Sequence, residues 1–416
     1  MSWPPPSSYY WFLPKLKSAS ELDALASRDE FPSLGNMLWC LPYCMAFGLA
    51  RLVLTRLVFK PLALFSMNLR MLKTEPLDSG LEWVDVYVAK NSFLVVTAPV
   101  RRGEGKGKGK RKLKPLKKLV DEIMTLGAGL GAKGKLAEDR LRDYLKKERH
   151  NTKTEMKVVK FVEALWRGIF YTTFVVLGAY TLFFDPAPVD WIEDPMKMWI
   201  NWPQPVKPVV YFYYHLSMGC YLHQLMWTEV SRSDALEMIL HHLTTIVLLV
   251  MSFLTQFTRI GTAILFVHDI ADVFLESAKC FNYTHLNNVA AKRWAQPVCD
   301  VLFGCFAVSF FITRLVIYPR SLVYSLYQYS PSHVGGTWPG YYGFVSLLGT
   351  LQVLHIFWFS LISKMIYKMF TSGIQKDERS DDEDDDDEDA PEDSSTAARG
   401  TAAGAGTGAK GKAGRK

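Results

Sequence analysis

The feature that most constrains the fold of this chain is a series of long apolar runs. An α-helix needs about 20 mostly apolar residues to cross the hydrocarbon core of a bilayer, and seven stretches of the sequence meet that requirement. They lie at 37–59, 164–184, 208–228, 237–257, 260–279, 297–318 and 343–365. The sequence therefore predicts an all-α polytopic membrane protein with about seven transmembrane helices.

The segments between and around these runs divide the chain into five parts. They are an N-terminal segment at 1–36, a first transmembrane helix with an interfacial extension at 37–66, a basic loop at 67–156, a domain of six transmembrane helices at 157–370, and an acidic and Gly/Ala-rich tail at 371–416. The first apolar run carries Arg51 and Arg56, so we expect its last turns to lie in the interface, with both side chains reaching toward the headgroups. The highly charged tail is predicted to be disordered.

Charge is distributed unevenly along the chain, which has a formal net charge of +7. Residues 101–160 contain 20 Lys or Arg against 8 Asp or Glu, whereas 377–395 contain 13 acidic residues and one Arg. Lys and Arg are enriched in cytosolic loops, so the basic loop and the 280–296 loop are predicted to be cytosolic, while the acidic 185–207 loop is lumenal. Seven spans then place the N-terminus in the lumen and the C-terminus in the cytosol, and nucleic acid is not an expected partner.

The basic loop contains two recognisable segments. RRGEGKGKGKRKLKPLKK at 101–118 is low-complexity sequence, and it either attracts anionic lipid headgroups or forms a solvated linker. LAEDRLRDYLKKER at 136–149 has the pattern of a short amphipathic helix on the membrane surface.

Polar residues form a stripe along the fourth predicted helix. Glu237, His241, Thr245 and Ser252 follow one another at steps of four, four and seven residues. This spacing places them on one face of a helix. The adjacent His242 points about 100° away and lies toward the edge of the stripe.

The fifth predicted helix carries a matching stripe. Asp269, Asp272, Glu276 and Lys279 follow at steps of three, four and three residues, with His268 beside them. Ionisable groups at membrane depth are costly unless they pair with one another or line a wet cavity. The stripe therefore predicts a polar partner or a cavity, and the preceding helix supplies both histidines and hydroxyl groups.

Three interpretations of the two stripes remain open. One is a polar network that holds the helices together, as we expect of Glu276 and Lys279. A second is a metal site with His241, His268 and Asp272 as ligands. The third is an acid–base site in which Asp272 orients His241. That site is suited to acyl transfer, because an imidazole either takes a proton from a nucleophile or attacks an activated acyl group itself.

The sequence around the stripes resembles the signature segment of the ceramide synthases, within the TLC-domain superfamily. The matching motifs are the paired histidines, an R-x-G that starts at Arg259, and an HD-x-x-D-x-x-x-E-x-x-K run from His268 to Lys279. Three flanking segments are similar to family motifs: ARLVLTRLVFKPLA at 50–63, KFVEALWRGIFY at 160–171, and WTEVSRSDALEM from Trp227, in which Ser231 replaces an Arg. The six-helix domain at 157–370 would then be the TLC domain.

This resemblance implies N-acylation of a sphingoid base by a fatty acyl-CoA at the endoplasmic reticulum membrane, giving ceramide or dihydroceramide. His241 and His242 would be the catalytic histidines, and Asp269 and Asp272 the acidic pair. Acyl-CoA would be a co-substrate, and neither a cofactor nor a metal is expected. Similar enzymes form dimers, so a homodimer or heterodimer is expected. Animal members often carry a homeobox-like segment, and none is evident in 71–156, so the chain resembles the plant, fungal or protist type.

Several residues outside the stripes also have expected roles. Arg232, Lys292 and Arg293 either meet the CoA phosphates or are ordinary interfacial cations. In similar enzymes the loop at 319–342 helps to set acyl-chain length, and here it either closes the far end of a cavity or is a plain connector. Ser380 is followed by three acidic residues, a pattern favoured by acidophilic kinases, so it is a predicted phosphorylation site.

The alternative to an enzyme is a non-enzymatic TLC-domain protein that binds, senses or moves lipids. Such a protein is expected to have lost the histidine pair or the acidic pair, and this sequence retains both.

Overall fold

The computed structural model describes residues 34–73, 97–98, 112–113, 120–121, 123–125, 135–184, 191–203, 206–226 and 234–372. The chain divides into two units, Met1–Asp381 and Asp382–Lys416, and the second unit lies outside the described residues. The predictions for the N-terminal segment, for Arg232, for most of the basic loop, and for Ser380 with the rest of the acidic tail also fall outside them.

Helices make up almost all of the described residues. In chain order they are α1 (Leu34–Met37), α2 (Cys40–Leu54), α3 (Lys60–Ser66), α4 (Lys135–Ala179), α5 (Pro208–Met226), α6 (Ala235–Leu254), α7 (Thr258–Asn287), α8 (Lys292–Phe310), α9 (Tyr324–Gln328), α10 (Ser330–Val334) and α11 (Pro339–Ser372). π-Helical segments at Thr55–Phe59, Tyr180–Phe184 and Phe311–Val323 extend α2, α4 and α8, and a 3-10 helix spans Pro195–Met198. Two short strands, β1 (Thr97–Ala98) and β2 (Lys112–Leu113), pair antiparallel.

Five helical stretches in the described residues are long and apolar enough to cross a membrane. They are Gly35–Ser66, Asp139–Phe184, Ala235–Leu254, Lys292–Gln328 and Pro339–Met369. The prediction of a helical polytopic membrane protein is therefore confirmed. The two other predicted spans coincide with α5 and α7, which carry more polar and aromatic residues. Their full passage through the bilayer stays a prediction.

α7 lies at the centre of the bundle and packs against α4, α8, α6 and the π-helical segment that extends α8. Its side chains are buried along much of its length, including Thr262, His268, Asp269 and Glu276. A helix that is surrounded by protein needs no uniformly apolar surface, because neighbouring helices rather than lipid meet its polar face. This explains why the fifth predicted helix tolerates so many ionisable residues.

Hydrogen bonds at the two ends of α7 show which described residues share an end of the bundle. The predicted 280–296 loop was too long, because α7 continues to Asn287 and α8 begins at Lys292. In the turn between them, Asn288 Nδ2 donates a hydrogen bond to Ser66 O at 2.9 Å. At the other end of α7, Trp202 Nε1 donates to Thr255 O at 2.9 Å. The end with Ser66, Asn288 and the first residues of α8 is called the basic end here, and which end is cytosolic stays a prediction.

The first helix is attached through a close approach and an ion pair. Gly219 of α5 lies against α2 so tightly that a Cβ at this position would be 2.7 Å from Tyr43 Cβ and 2.9 Å from Cys40 O. Arg51 of α2 forms an ion pair with Glu163 of α4. Arg51 therefore has a protein partner within the bundle, and its predicted position in the membrane interface stays a prediction.

Two predicted boundaries were wrong. The amphipathic segment at 136–149 is not a separate surface helix, because α4 runs without interruption for 45 residues and about 68 Å. The connector at 319–342 is mostly helical, since the π-helical segment continues to Val323 and α9 and α10 follow. Pro319 has no backbone N–H to donate, and it lies within that π-helical segment.

Candidate functional site

The two adjacent histidines of α6 face different neighbours. The His241 ring lies 5.4 Å from the Trp358 ring and 6.2 Å from the His268 ring, centroid to centroid. The His242 ring lies 6.1 Å from the ring of Tyr221 on α5. His241 thus faces the polar stripe of α7, as its spacing predicted, whereas His242 is more deeply buried than its predicted edge position suggested.

Both histidines keep a ring nitrogen with unmet hydrogen-bonding capacity. The Nδ1 atoms of His241 and His242 are buried and have no partner among the described residues. On the same helix, Thr245 Oγ1 donates back to His241 O at 2.9 Å, which occupies that hydroxyl. Because buried polar atoms in proteins are nearly always paired, these two nitrogens are candidates for contact with a substrate.

His268 of α7 is held at both ring nitrogens. Its Nδ1 lies 2.7 Å from Ile264 O, and its Nε2 lies 2.9 Å from Nε2 of His355 on α11. A carbonyl oxygen only accepts hydrogen bonds, so Nδ1 of His268 is the donor there. His268 is therefore adjacent to His241 but has no ring nitrogen left for another partner.

The predicted direct pairing of Asp272 with His241 was wrong. Asp272 Oδ2 instead accepts a hydrogen bond from Arg314 Nη2 at 2.5 Å, and no hydrogen bond joins Asp272 to His241 in the described part of the chain. Arg314 lies in the π-helical segment after α8, and its side chain is 8% exposed. A buried guanidinium requires a countercharge, and a carboxylate meets that requirement better than a neutral imidazole would.

Glu276 and Lys279, the last two residues of the polar stripe on α7, belong to an ion-pair network. Glu276 Oε1 lies 3.0 Å from Lys279 Nζ and 3.3 Å from Arg167 Nε. The Glu276 side chain is nearly fully buried, so two cations balance its charge in place of water. The predicted Glu276–Lys279 contact is present, and Arg167 of α4 extends it.

A narrow, mostly apolar cavity extends from His268 toward the opposite end of the bundle. The centre of a water-sized sphere can occupy about 40 Å³ of it, which is enough for water molecules but well below the roughly 300–1,000 Å³ of a pocket that holds a whole ligand. Thr245, Tyr221 and His268 line one end. Aliphatic residues from α6, α7 and α11 line its length: Leu248, Leu249, Ile260, Ile264, Leu265, Leu348 and Leu351.

Aromatic side chains close the far end of the cavity. Phe257, in the turn between α6 and α7, is almost fully buried, and its ring lies 5.1 Å from the Trp199 ring and 5.4 Å from the Phe344 ring. Trp338, just before α11, adds a third ring at 5.9 Å. About 16 Å of helix rise separates Phe257 from the level of His268, at about 1.5 Å per residue. From the predicted 319–342 connector, Leu326 lines the cavity and Trp338 packs against Phe257.

The other predicted residues have varied positions. Asp269 is buried on α7, one residue after His268. Ser252 lines the cavity two turns beyond Thr245 and bonds to Tyr214 Oη at 3.3 Å, so it lies well away from the histidines. Glu237 is partly exposed in the first turn of α6. Lys292 and Arg293 are exposed at the start of α8.

Three residues that line this site were not anticipated from the sequence: Arg314, His355 and Trp358. Arg314 and His355 are ionisable residues within apolar runs, which is itself a signal of function or of a buried partner. Trp358 gives no such signal, because aromatic residues are common in transmembrane helices. The two polar stripes lie on adjacent helices, whereas these three residues come from the last two helical stretches, Lys292–Gln328 and Pro339–Met369.

The described residues include no group of three or more His, Cys, Asp or Glu side chains arranged to hold a metal ion. Two of the proposed ligands are already engaged, because His268 is bonded at both nitrogens and Asp272 is bonded to Arg314.

Together, the helical bundle, the buried histidines and the narrow apolar cavity define a polytopic membrane protein with a polar site inside its bundle. A family model described as the TLC domain matches residues 160–364, which include every residue of the site described above.

Comparison with known proteins narrows this class. Ceramide synthase 4 of Bos taurus is 37% identical over 240 residues, which cover 56% of this chain and 57% of that protein. Ceramide synthase 3 of Homo sapiens is 36% identical over 257 residues, covering 61% and 63%. Ceramide synthase LOH2 of Arabidopsis thaliana is 34% identical over 224 residues, covering 52% and 71%. The chain belongs to the ceramide synthase family of TLC-domain proteins.

The match spans somewhat more than half the length of the mammalian ceramide synthase 4 proteins. Both mammalian and plant proteins are among the relatives, and the 71–156 segment, in which a homeobox-like region was sought, is mostly outside the described residues. The assignment to a plant, fungal or protist type stays a prediction.

Proposed function

We propose that this protein transfers a fatty acyl group from acyl-CoA to the amine of a sphingoid base, giving ceramide or dihydroceramide. The observation that carries the proposal is the position of His241, an imidazole with an open Nδ1, 6.2 Å ring to ring from His268, which lines the polar end of a narrow apolar cavity. A hydrocarbon chain that widened and entered this cavity would have its reactive end beside the imidazoles.

Two routes are compatible with this geometry. In the first, His241 attacks the thioester carbonyl, the C–S bond breaks, and CoA leaves as a thiolate. The amine then attacks the acyl-imidazole, forms the amide and releases the imidazole. In the second, His241 accepts the amine proton while the amine attacks the thioester directly, and the proton passes to the departing thiolate. His242 and Asp269, which are both buried, complete the proposed catalytic group.

The other predicted components belong to the same proposal. Acyl-CoA is the co-substrate, and neither route requires a cofactor or a metal. Lys292 and Arg293 are exposed at the basic end of the bundle, where the phosphates of CoA would meet them; Arg232 would do the same. We further propose an endoplasmic reticulum location, a lumenal N-terminus and a cytosolic C-terminus, assembly as a dimer, and phosphorylation of Ser380.

The test is ceramide formation by the purified protein in lipid vesicles, supplied with a sphingoid base and acyl-CoAs of several lengths. His241→Ala is expected to lower the rate by about 100-fold or more, as loss of a general base or nucleophile does. His333→Ala is the matched control, because His333 lies in α10 outside the cavity lining. A mass increase of one acyl group in wild type without acceptor, absent from His241→Ala, would identify the covalent route.

A folded wild-type protein that binds acyl-CoA or sphingoid base but forms no ceramide would contradict the proposal. It would favour the non-enzymatic alternative, a TLC-domain protein that binds, senses or moves lipids, since the apolar cavity suits that role as well.

A further inference from the structure

We propose that Arg314 and His355 are positioning residues that together hold one turn of α7, from His268 to Asp272, in the geometry that acyl transfer requires. This inference rests on the proposed function of the same site. Neither residue belongs to the motifs that marked the site in the sequence, and each comes from a helical stretch that follows the two stripes in the chain.

Arg314 connects two points of the turn through a single nitrogen. Its Nη2 donates to His268 O at 2.6 Å and to Asp272 Oδ2 at 2.5 Å. These acceptors lie four residues apart, so they follow one another along the helix axis. The guanidinium also lies over the Phe310 ring, 4.6 Å from its centroid. Arg314 therefore fixes both the backbone at His268 and the rotamer of Asp272.

His355 fixes the side chain of His268. Because His268 Nδ1 donates to Ile264 O, a neutral His268 has its lone pair on Nε2, and His355 Nε2 must then donate to it. If His268 were charged, the direction would reverse, and one proton would still lie between the two Nε2 atoms. His355 is completely buried, against the Tyr318 ring at 4.9 Å, so this arrangement has no competing contact with water.

Arg314 and His355, which together hold the turn from His268 to Asp272, are called the clamp. The clamp determines which imidazole is available for reaction. With both nitrogens bonded, His268 neither accepts a proton from a substrate nor attacks an acyl group. His241, whose ring lies 6.2 Å away, retains an open Nδ1. The bonded His268 ring is thus held in a fixed position beside His241. If that ring moved, the thioester would be misplaced relative to His241. Small misplacements of a reacting group lower rates strongly while leaving remote binding contacts intact.

Two conservative variants separate positioning from packing. His355→Gln retains an N–H donor near the position of Nε2, whereas His355→Phe retains the ring volume without a donor. Arg314→Lys retains the charge, but its side chain ends one bond short of the position of Nη2 and lacks the planar guanidinium that lies over the Phe310 ring while Nη2 meets both acceptors. The controls are His333→Gln and Arg320→Lys; Arg320 is exposed, six residues after Arg314 in the same π-helical segment.

We expect His355→Phe and Arg314→Lys to lower kcat for ceramide formation by about 10- to 100-fold, with KM for acyl-CoA changed by less than about twofold, which is the pattern of an interaction lost in the transition state. His355→Gln should recover most of the kcat, and both controls should match wild type. The clamp is overturned if His355→Phe and Arg314→Lys retain the wild-type kcat, or if His355→Gln is as defective as His355→Phe.

A second readout requires no activity. Hydrogen–deuterium exchange of peptides covering 264–276 should be faster in Arg314→Lys than in Arg320→Lys, because only the former loses an anchor on this turn. If the wild-type protein forms no ceramide but exchange is faster in Arg314→Lys than in Arg320→Lys, the proposed function is refuted and the positioning role of Arg314 is retained. Unchanged exchange in Arg314→Lys and His355→Phe, in an active protein with normal kcat, would refute the clamp and retain the function.

Discussion

Gly261 on α7 is the position where a single added methyl group is expected to have the largest local effect on the cavity wall. A Cβ at this position would lie 1.8 Å from Tyr214 Oη and 3.1 Å from Ser252 Oγ. Ordinary van der Waals contact begins at 3.4 Å, so in Gly261→Ala the Tyr214 hydroxyl would have to move by about 1.6 Å within a close-packed interior.

The cost of that movement follows from what holds the hydroxyl in place. Tyr214 is almost fully buried, and its Oη bonds to Ser252 Oγ and to Thr258 O, both at 3.3 Å. Overpacking of this kind costs about 1–3 kcal/mol, and a lost hydrogen bond adds about 1 kcal/mol. The total is about 2–4 kcal/mol, and each kcal/mol lowers Tm by about 2–4 °C in a domain of this size, so Gly261→Ala should lower the apparent Tm in detergent by roughly 4–16 °C.

Two comparisons isolate the clash from the general effect of Gly→Ala in a helix. Gly304→Ala and Gly349→Ala place a Cβ in open space, so helix propensity alone should leave them neutral or stabilised by up to about 1 kcal/mol. In the double variant Gly261→Ala/Tyr214→Phe, the hydroxyl is absent and the nearest ring atom is at 3.0 Å, so the double variant should melt above Gly261→Ala. Equal Tm values for Gly261→Ala and Gly304→Ala, or no recovery in the double variant, would refute the reasoning.

Three further predictions concern other contacts. Gly219→Ala should destabilise the protein by about 3 kcal/mol and loosen α2 from α5, because its Cβ would meet backbone atoms of Cys40 and Cys44 at 2.9 Å; a wild-type Tm and unchanged proteolysis of the first helix would contradict this. Phe257→Ala removes a ring from the cavity floor, and competition between acyl-CoAs should shift product toward longer chains, at a cost of about 3–5 kcal/mol in unfolding free energy; an unchanged product distribution would count against the floor as a length limit. Lys60→Ala should change the Tm by no more than the equivalent of about 1 kcal/mol, because the Lys60–Glu155 pair is exposed and 3.5 Å apart; a larger fall would show a role that this contact does not explain.

The helices were predictable from the sequence because hydropathy depends on local composition alone. Even α5 and α7 were found, although their polar residues keep them below the apolar content of the other five stretches. The connector at 319–342 was not predicted, because Pro319 and the Ser- and Tyr-rich sequence after it are typical of a loop. The structure instead continues the helix through a π-helical segment, which tertiary packing stabilises and local propensity does not reveal.

Periodicity identified the polar face of α7 but not the residues opposite that face. A stripe at steps of three and four shows which side of a helix is polar. It carries no information about whether the partner is the adjacent helix or one that follows 42 residues later, as Arg314 follows Asp272. The expectation that Asp272 meets His241 assumed the adjacent helix. Arg314 and His355 are themselves ionisable residues within apolar runs, and that local signal does not depend on the stripes.

Charge balance explains how α7 remains stable at membrane depth and limits how its site can be altered. Two of its acidic residues form ion pairs: Asp272 with Arg314, and Glu276 with Lys279 and Arg167. These contacts matter because an unpaired buried charge costs several kcal/mol. Neutralising a member of these pairs leaves its partner unbalanced, so activity lost in such a variant reports on folding as well as on chemistry. Substitutions that keep charge and change geometry, such as Arg314→Lys, are therefore the more informative test of the site.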